Sequence, residues 1–299
     1  MPTIFAFPKP FRGHIGTIQR NAIGSWVRLN PQCEIFLFGD EEGTAAVAKE
    51  FAVRHIPEIA RNGFGTPLLD EVFKKAEQLA SDPLLCYVNC DIILGSDFIP
   101  TVRRVSQWKP HFLLVGECWN LDVEESLAFD RPSWEEDLKT LVQQKGKRRG
   151  PNAIDYFVFP SGLYQDLPPF ALGRPRFDNW LIWKARNVEA AVVDATHVVN
   201  AIHQNHDYSH VGSKELMHGG EEARRNLELA GGNRHCWSIA EASHKLCRAG
   251  IRRNWGGHFT PETKAQFWRV MKLTRPLRHP MGLKMETVRR FTALLGRKP

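Results

Sequence analysis

The chain of 299 residues carries 40 Lys+Arg against 33 Asp+Glu, a formal charge of +7, with 42% apolar residues. Enough apolar sequence is present to build a full core, which excludes a disordered chain, and no apolar run approaches the roughly 20 residues that span a bilayer. The charge is uneven. Arg269 to Pro299 holds nine basic residues and one acid, Glu286, so this tail carries +8 and residues 1–268 carry −1. A near-neutral body argues against nucleic acid as a partner, because phosphate-tracking surfaces need cations clustered on the fold.

The first 120 residues alternate strand and helix signals. Thr3–Phe7 reads as a strand closed by Pro8-Lys9-Pro10, and not as a signal peptide, since no basic segment precedes it. Apolar residues at Ile15, Ile18, Ala22, Ile23, Trp26, Val27 and Leu29 have helical spacing. Cys33–Phe38 is a second strand closed by Gly39-Asp40, Gly43–Phe51 a short helix, and Val53–Ile59 a third strand or an extended link. Thr66-Pro67 opens a helix running to Ala80, with Thr66 as cap. Leu84–Val88 is a buried strand leading into Asn89-Cys90-Asp91, and His111–Val115 another, closing on Gly116-Glu117. Strands separated by helices predict an α/β fold with a mostly parallel central sheet and helices on both faces.

Residues 121–152 are polar and end in Lys145-Gly146-Lys147-Arg148-Arg149. They read either as a surface helix with a solvated loop or as a loop touching an anionic substrate. Tyr156–Phe159 is a strand, a helix begins near Asp178, and Val192–Asp194 and Val198–Ile202 are the last short strands. Beyond residue 215 the sequence reads as helical. Six cysteines form no CxxC, and four lie in core strands, which fits buried free thiols in a reducing cytosol.

In an open parallel sheet, ligands bind beyond the carboxyl ends of the strands. The polar residues there are Pro8-Lys9, Asp40, Asn89 to Asp91, Glu117 and the cluster after Ile202. Alternation places Asn89 and Asp91 on one side of their strand. Two oxygen donors there suit Mg2+ or Mn2+ holding a diphosphate, or form an Asx turn that ends the strand. Three of the twelve histidines, 203, 206 and 210, fall within eight residues. One histidine can share a cation with Asp91, or all three can serve as solvated or capping groups. No HExxH is present, which argues against zincin chemistry. Arg174, Arg176 and Asp178 combine phosphate-binding cations with a carboxylate that is either a helix cap or a general base. GxGxxG after the first strand, GxxxxGK[ST] and GxSxG are all absent.

These residues, in this order, resemble the GT-A fold glycosyltransferases that use nucleotide-diphosphate sugars. The resemblance covers residues 1–212. The strand into Pro8, the strand into Asp40, and Asn62-Gly63-Phe64-Gly65-Thr66 are similar to the nucleotide-binding half of that family. Tyr87-Val88-Asn89-Cys90-Asp91 resembles its aspartate-x-aspartate metal motif, with Asn89 standing where the first acid would be. Arg176-Phe177-Asp178 resembles the segment with the catalytic acid, and His203-Gln204-Asn205-His206 the histidine that completes the metal site.

The resemblance implies hexosyl transfer from a UDP- or GDP-sugar to an acceptor hydroxyl on a glycan, glycolipid or small molecule, in bacterial-type glycan or glycolipid synthesis. Asp178, Arg174 and Arg176 would be catalytic. Pro8, Asp40, Asn62, Thr66, Asn89 and Asp91 would bind the donor, and Asp91, His203 and His206 would hold Mn2+ or Mg2+. Two other readings stay open: a non-catalytic sugar-nucleotide or carbohydrate-binding protein, and a sugar-1-phosphate nucleotidyltransferase.

The implied division is a transferase domain over 1–212, with a nucleotide-sugar half (1–120) and an acceptor half (121–212), followed by a helical, basic extension over 213–299. The expected location is cytoplasmic. The tail, with amphipathic stretches Glu262–Met271 and Glu286–Leu295, reads either as a helical appendage packed on the body with a solvated basic face or as a device for peripheral docking on the anionic inner face of a membrane.

Overall fold

The computed structural model describes residues 1–206 and 219–258. The amphipathic stretches of the tail, His210, and the expected extension apart from 219–258 lie outside the described residues. Among the described residues no helix is long and apolar enough to cross a membrane.

Nine strands form the main sheet: β1 (Thr3–Ala6), β2 (Ile35–Phe38), β3 (Arg54–Ile56), β4 (Leu84–Val88), β6 (Phe112–Val115), β9 (Tyr156–Pro160), β10 (Ala191–Asp194), β12 (His244–Cys247) and β13 (Gly250–Arg253). Their order is β13-β12-β10-β6-β9-β4-β1-β2-β3. The pairs joining β3, β2, β1 and β4, and those joining β6, β10 and β12, are parallel. Between these two parallel sets lies β9, antiparallel to both β4 and β6.

Such strands are covered on both faces, which is why they read as unbroken apolar runs. In β1, Ile4 and Ala6 join one core while Phe5 joins the other. The first core holds the buried sides of α1 (Gly13–Trp26), α2 (Thr44–Glu50) and α4 (Phe98–Trp108). The second holds those of α3 (Leu69–Leu79) and α6 (Phe177–Asn187). The expected mostly parallel α/β sheet flanked by helices is the one found.

Several local expectations change. Helix α3 begins at Leu69 rather than Thr66, because Pro67 and Leu68 form bridges with Arg61 and Ala171 that keep the backbone extended. Helix α4 has no counterpart in the sequence reading, although Phe98, Val102 and Val105 have helical spacing and are buried; Pro100 is tolerated in the first turn. Residues 198–200 are not a strand. The strand there, β11, runs Ile202–Gln204, and Val199 is buried outside it, while the Ala201 carbonyl already accepts from Trp119 of the neighbouring strand. The region after 215 is not wholly helical. Helix α7 (Glu221–Leu229) is followed by β12 and β13, a hairpin with Leu246 opposite Ile251 that extends the main sheet. Its two-residue turn, Arg248-Ala249, carries none of the usual Asn-Gly or Asp-Gly signals.

A second sheet, in the order β5-β11-β7-β8, contains β5 (Ile92–Ile93), β7 (Trp119–Leu121) and β8 (Lys147–Arg148). Helix α5 (Trp134–Lys145) packs Leu138 and Val142 against Ile93, Leu121 and Ile202 of this sheet. The polar stretch 121–152 thus contains the surface helix that its sequence suggested, and its basic end pairs as β8.

Candidate active site

A cavity of about 660 Å³ opens beyond the carboxyl ends of β1 and β4. Of the residues singled out from sequence, Pro8, Thr66, Asn89, Asp91, Arg174, Asp178, His203 and His206 line it, while Asp40, Asn62 and Arg176 do not.

The second sheet brings Asp91 and the histidines together. Strand β5 leaves Asp91 and pairs antiparallel with β11, His203 opposite Ile92. The Gln204 backbone N–H and side-chain Nε2 both donate to the Asp91 carbonyl, at 3.2 and 3.1 Å. The Gln204 amide is fully buried and satisfied, for Nε2 also donates to the Ile18 carbonyl and Oε1 accepts from Asn21 of α1. Alternation along β11 then turns His203 away from Gln204. Asp91 Oδ2 lies 3.1 Å from His206 Nε2 and 3.7 Å from His203 Nε2.

These three side chains fit a divalent cation. One ligand atom from each lies within 4.8 Å of the others, and ligands bound at about 2.1 Å to a shared ion stand roughly 3.0–4.2 Å apart. Asp91 Oδ1 is buried with no hydrogen-bond partner, an acceptor left for a ligand. Burial works against ionisation of Asp91, but the charges of His203 and Lys9 and a hydrogen bond from His206 hold its carboxyl well below the usual range. Burial pushes the His203 imidazole down, only partly offset by Asp91, which favours the neutral, ligating form.

Asn89 has a different task. Its Nδ2 donates to Asp155 Oδ1 at 3.1 Å, and its backbone N–H donates to the Asp155 carbonyl at 2.9 Å. Asp155 is 5% exposed and pairs with Arg149, Nε to Oδ2 at 3.1 Å. An acid at 89 would set two carboxylates in contact within a buried site, so the amide here follows from Asp155. Arg149 and Asp155 both line the cavity and were absent from the sequence-derived set. The available signal was the basic run ending in Arg149, for which a loop touching an anion is one of the two readings.

Asp178 stands in the first turn of α6, with Arg176 at the cap position in a left-handed conformation (φ 93°) and no side-chain cap bond. Asp178 is thus the second residue of the helix and not its cap, and its carboxyl faces backbone N–H groups of that first turn. Its Oδ1 is buried without a hydrogen-bond partner. Burial, opposed by nearby backbone N–H groups and reinforced by Asp155, raises its pKa to about 6. A carboxyl with that pKa is a competent proton acceptor near neutral pH.

The other sequence-derived residues act on the walls. Asp40 is largely exposed and pairs with Arg61, which also reaches Glu41 and lies over the Phe7 ring. Asn62 forms an Asx turn: its Oδ1 accepts from the N–H groups of Phe64 and Thr66, at 2.9 and 3.0 Å. Its Nδ2 donates to Glu222 of α7, whose other oxygen receives Arg174 Nε and Nη2 at 2.8 and 2.6 Å. Four residues on, the fully buried Asn226 bonds the N–H and carbonyl of Ala171 and the carbonyl of Pro175. Helix α7 thus pins the loop that delivers Arg174 and Asp178. Asn226→Ala strands those buried backbone groups, and is expected to cost about 2–4 kcal/mol in chemical denaturation.

No family profile and no curated protein matches this chain. Among solved structures it is similar to glucosyl-3-phosphoglycerate synthase from Mycobacterium tuberculosis in complex with Mn2+, uridine diphosphate and glucosyl-3-phosphoglycerate. The identity is 14% over 77% of this chain and 80% of that one, with a TM-score of 0.47. The same values hold for that enzyme with Mg2+ and uridine diphosphate. With phosphoglyceric acid the identity is 15%, over 77% of this chain and 80% of that one, and the TM-score 0.48.

Proposed function

We propose that the chain is a divalent-metal-dependent glycosyltransferase that moves a sugar from a nucleotide-diphosphate donor to an acceptor hydroxyl. The observation that carries this reading is one cavity, at the carboxyl ends of parallel strands, lined by the Asp91–His203–His206 cluster and by Asp178 with its raised pKa. The cluster would hold the cation and Asp178 would take the proton. Bound there, a cation supplies charge that offsets the negative charge developing on the departing diphosphate.

The residues of the chain divide the remaining work. Asp178 accepts the proton of the acceptor hydroxyl as its oxygen attacks the anomeric carbon, a role that implies inversion. Arg174 lies at the wall with its guanidinium oriented by Glu222, where it can meet phosphate oxygens. Pro8 and Thr66 shape the donor side. Two imidazoles with one carboxylate favour Mn2+ over Mg2+, because magnesium prefers an all-oxygen shell.

Titration calorimetry with a panel of nucleotide-diphosphate sugars tests the reading. At least one donor is expected to bind in Mn2+ and to weaken about tenfold or more in EDTA. Absence of binding by every donor to the folded protein rejects it. Binding without turnover in any acceptor mixture points instead to a carbohydrate-binding relative of the fold.

A further inference from the structure

Lys9 stands where β1 enters the cavity, between Pro8 and Pro10, which fix the backbone on either side of it. The side chain of Gln19, 2% exposed on α1, clamps the same residue from both sides. The Lys9 N–H donates to Gln19 Oε1 at 2.6 Å, and Gln19 Nε2 donates to the Lys9 carbonyl at 2.8 Å. A buried amide spent on one backbone unit is an investment in where that side chain starts. The side chain runs to the metal cluster, Nζ 3.5 Å from His206 Nε2. Among the described residues, the arginines that line the cavity are bridged to carboxylates other than Asp91: Arg61 to Asp40 and Glu41, Arg149 to Asp155, and Arg174 to Glu222.

An ammonium held beside a divalent-cation site is unfavourable for the ion alone, since like charges repel at this range. It becomes favourable when a polyanion occupies the space between the two. We propose that Lys9 is a catalytic residue which binds a phosphate oxygen of the donor diphosphate beside the cation and stabilises the leaving group. This rests on the transferase reading above. In the step concerned, the bond from the anomeric carbon to the phosphate oxygen breaks and its electron pair stays on that oxygen. The acceptor oxygen forms the new bond, and its proton goes to Asp178. The Lys9 ammonium keeps its own protons and meets the charge that develops on the diphosphate.

The proposal requires two changes of opposite sign in one variant, measured on the full chain. In Lys9→Met, Mn2+ alone, followed by electron paramagnetic resonance of the free ion, is expected to bind about threefold or more tighter. Uridine and guanosine diphosphate, titrated at saturating Mn2+, are expected to bind about tenfold weaker wherever the wild type binds them, and kcat is expected to fall more than KM changes. Lys9→Arg keeps the charge and should retain most diphosphate affinity, which a purely structural role for the stem would not predict. Unchanged diphosphate affinity in Lys9→Met overturns the proposal, as does weaker Mn2+ binding. If the wild type binds neither diphosphate in Mn2+, the transferase reading fails and the leaving-group role falls with it. The metal titration then still decides whether the Lys9 charge faces the cation.

Discussion

Asp178→Asn is expected to leave only residual turnover and, at neutral pH, to make the protein more stable. The carboxyl sits against buried surroundings, with one oxygen unpartnered and its pKa raised to about 6. A group whose folded-state pKa is raised contributes stability that is complete below its unfolded value, near 4, and is lost as pH rises through about 6. At pH 7 the ionised carboxylate therefore burdens the fold, by on the order of 2–3 kcal/mol. Asparagine removes that charge, so the gain in denaturant unfolding at pH 7 should approach that figure and should vanish near pH 4. Loss of the proton acceptor should lower kcat by about 10²–10⁴. The wild-type rate should fall as pH drops through about 6, and the residual rate of the variant should not follow it. A variant that loses activity without gaining stability at neutral pH would mean that Asp178 is not a strained, functional carboxylate.

Asp91→Ala is the second large effect. Among the described residues Asp91 supplies the only carboxylate of the cluster, and the two imidazoles reach its Oδ2 from β11 and the residues just after it. Outer-shell partners of metal ligands are already worth 10–100-fold in affinity. Loss of the carboxylate itself should therefore weaken Mn2+ by at least about 100-fold, with loss of donor binding in its wake. His203→Ala and His206→Ala should each weaken Mn2+ about tenfold or more. Asn89→Ala should act differently, through Asp155 and Arg149, leaving Mn2+ affinity within a few-fold of wild type. That contrast separates a ligand from a residue of the supporting wall.

Much of this was legible in the sequence because strand ends carry both apolar and polar signals. Thr3–Ala6, Ile35–Phe38 and Leu84–Val88 are apolar runs that stop at polar residues, and so Pro8 and Asp91 could be placed at one sheet edge. The direction of β9 was not legible, since an apolar run buried on both faces reads the same in either orientation. Nor was the β5–β11 pairing, which joins residues more than a hundred positions apart through three-residue and two-residue strands. Without that pairing, the choice among the histidines stayed open. Arg149 and Asp155 were missed for a related reason. Their pairing with each other and with Asn89 is tertiary, and local spacing carries no trace of it. The β12–β13 hairpin was hidden by basic residues on its exposed edge strand, where Arg252 and Arg253 dilute the apolar alternation. Asp40 shows the same limit from the other side. This polar residue at a strand end lies outside the cavity lining and pairs with Arg61, a partner that local spacing does not reveal.

The proposed function turns on Asp91, His203 and His206 binding a divalent cation that meets a nucleoside diphosphate in the same cavity. The most direct measurement is Mn2+ binding by electron paramagnetic resonance, with and without uridine or guanosine diphosphate, on wild type and Asp91→Ala. One Mn2+ per chain is expected in the wild type, tighter in the presence of at least one diphosphate, with no such binding in Asp91→Ala. Mn2+ binding that is indifferent to both diphosphates, or that survives removal of Asp91, would contradict it.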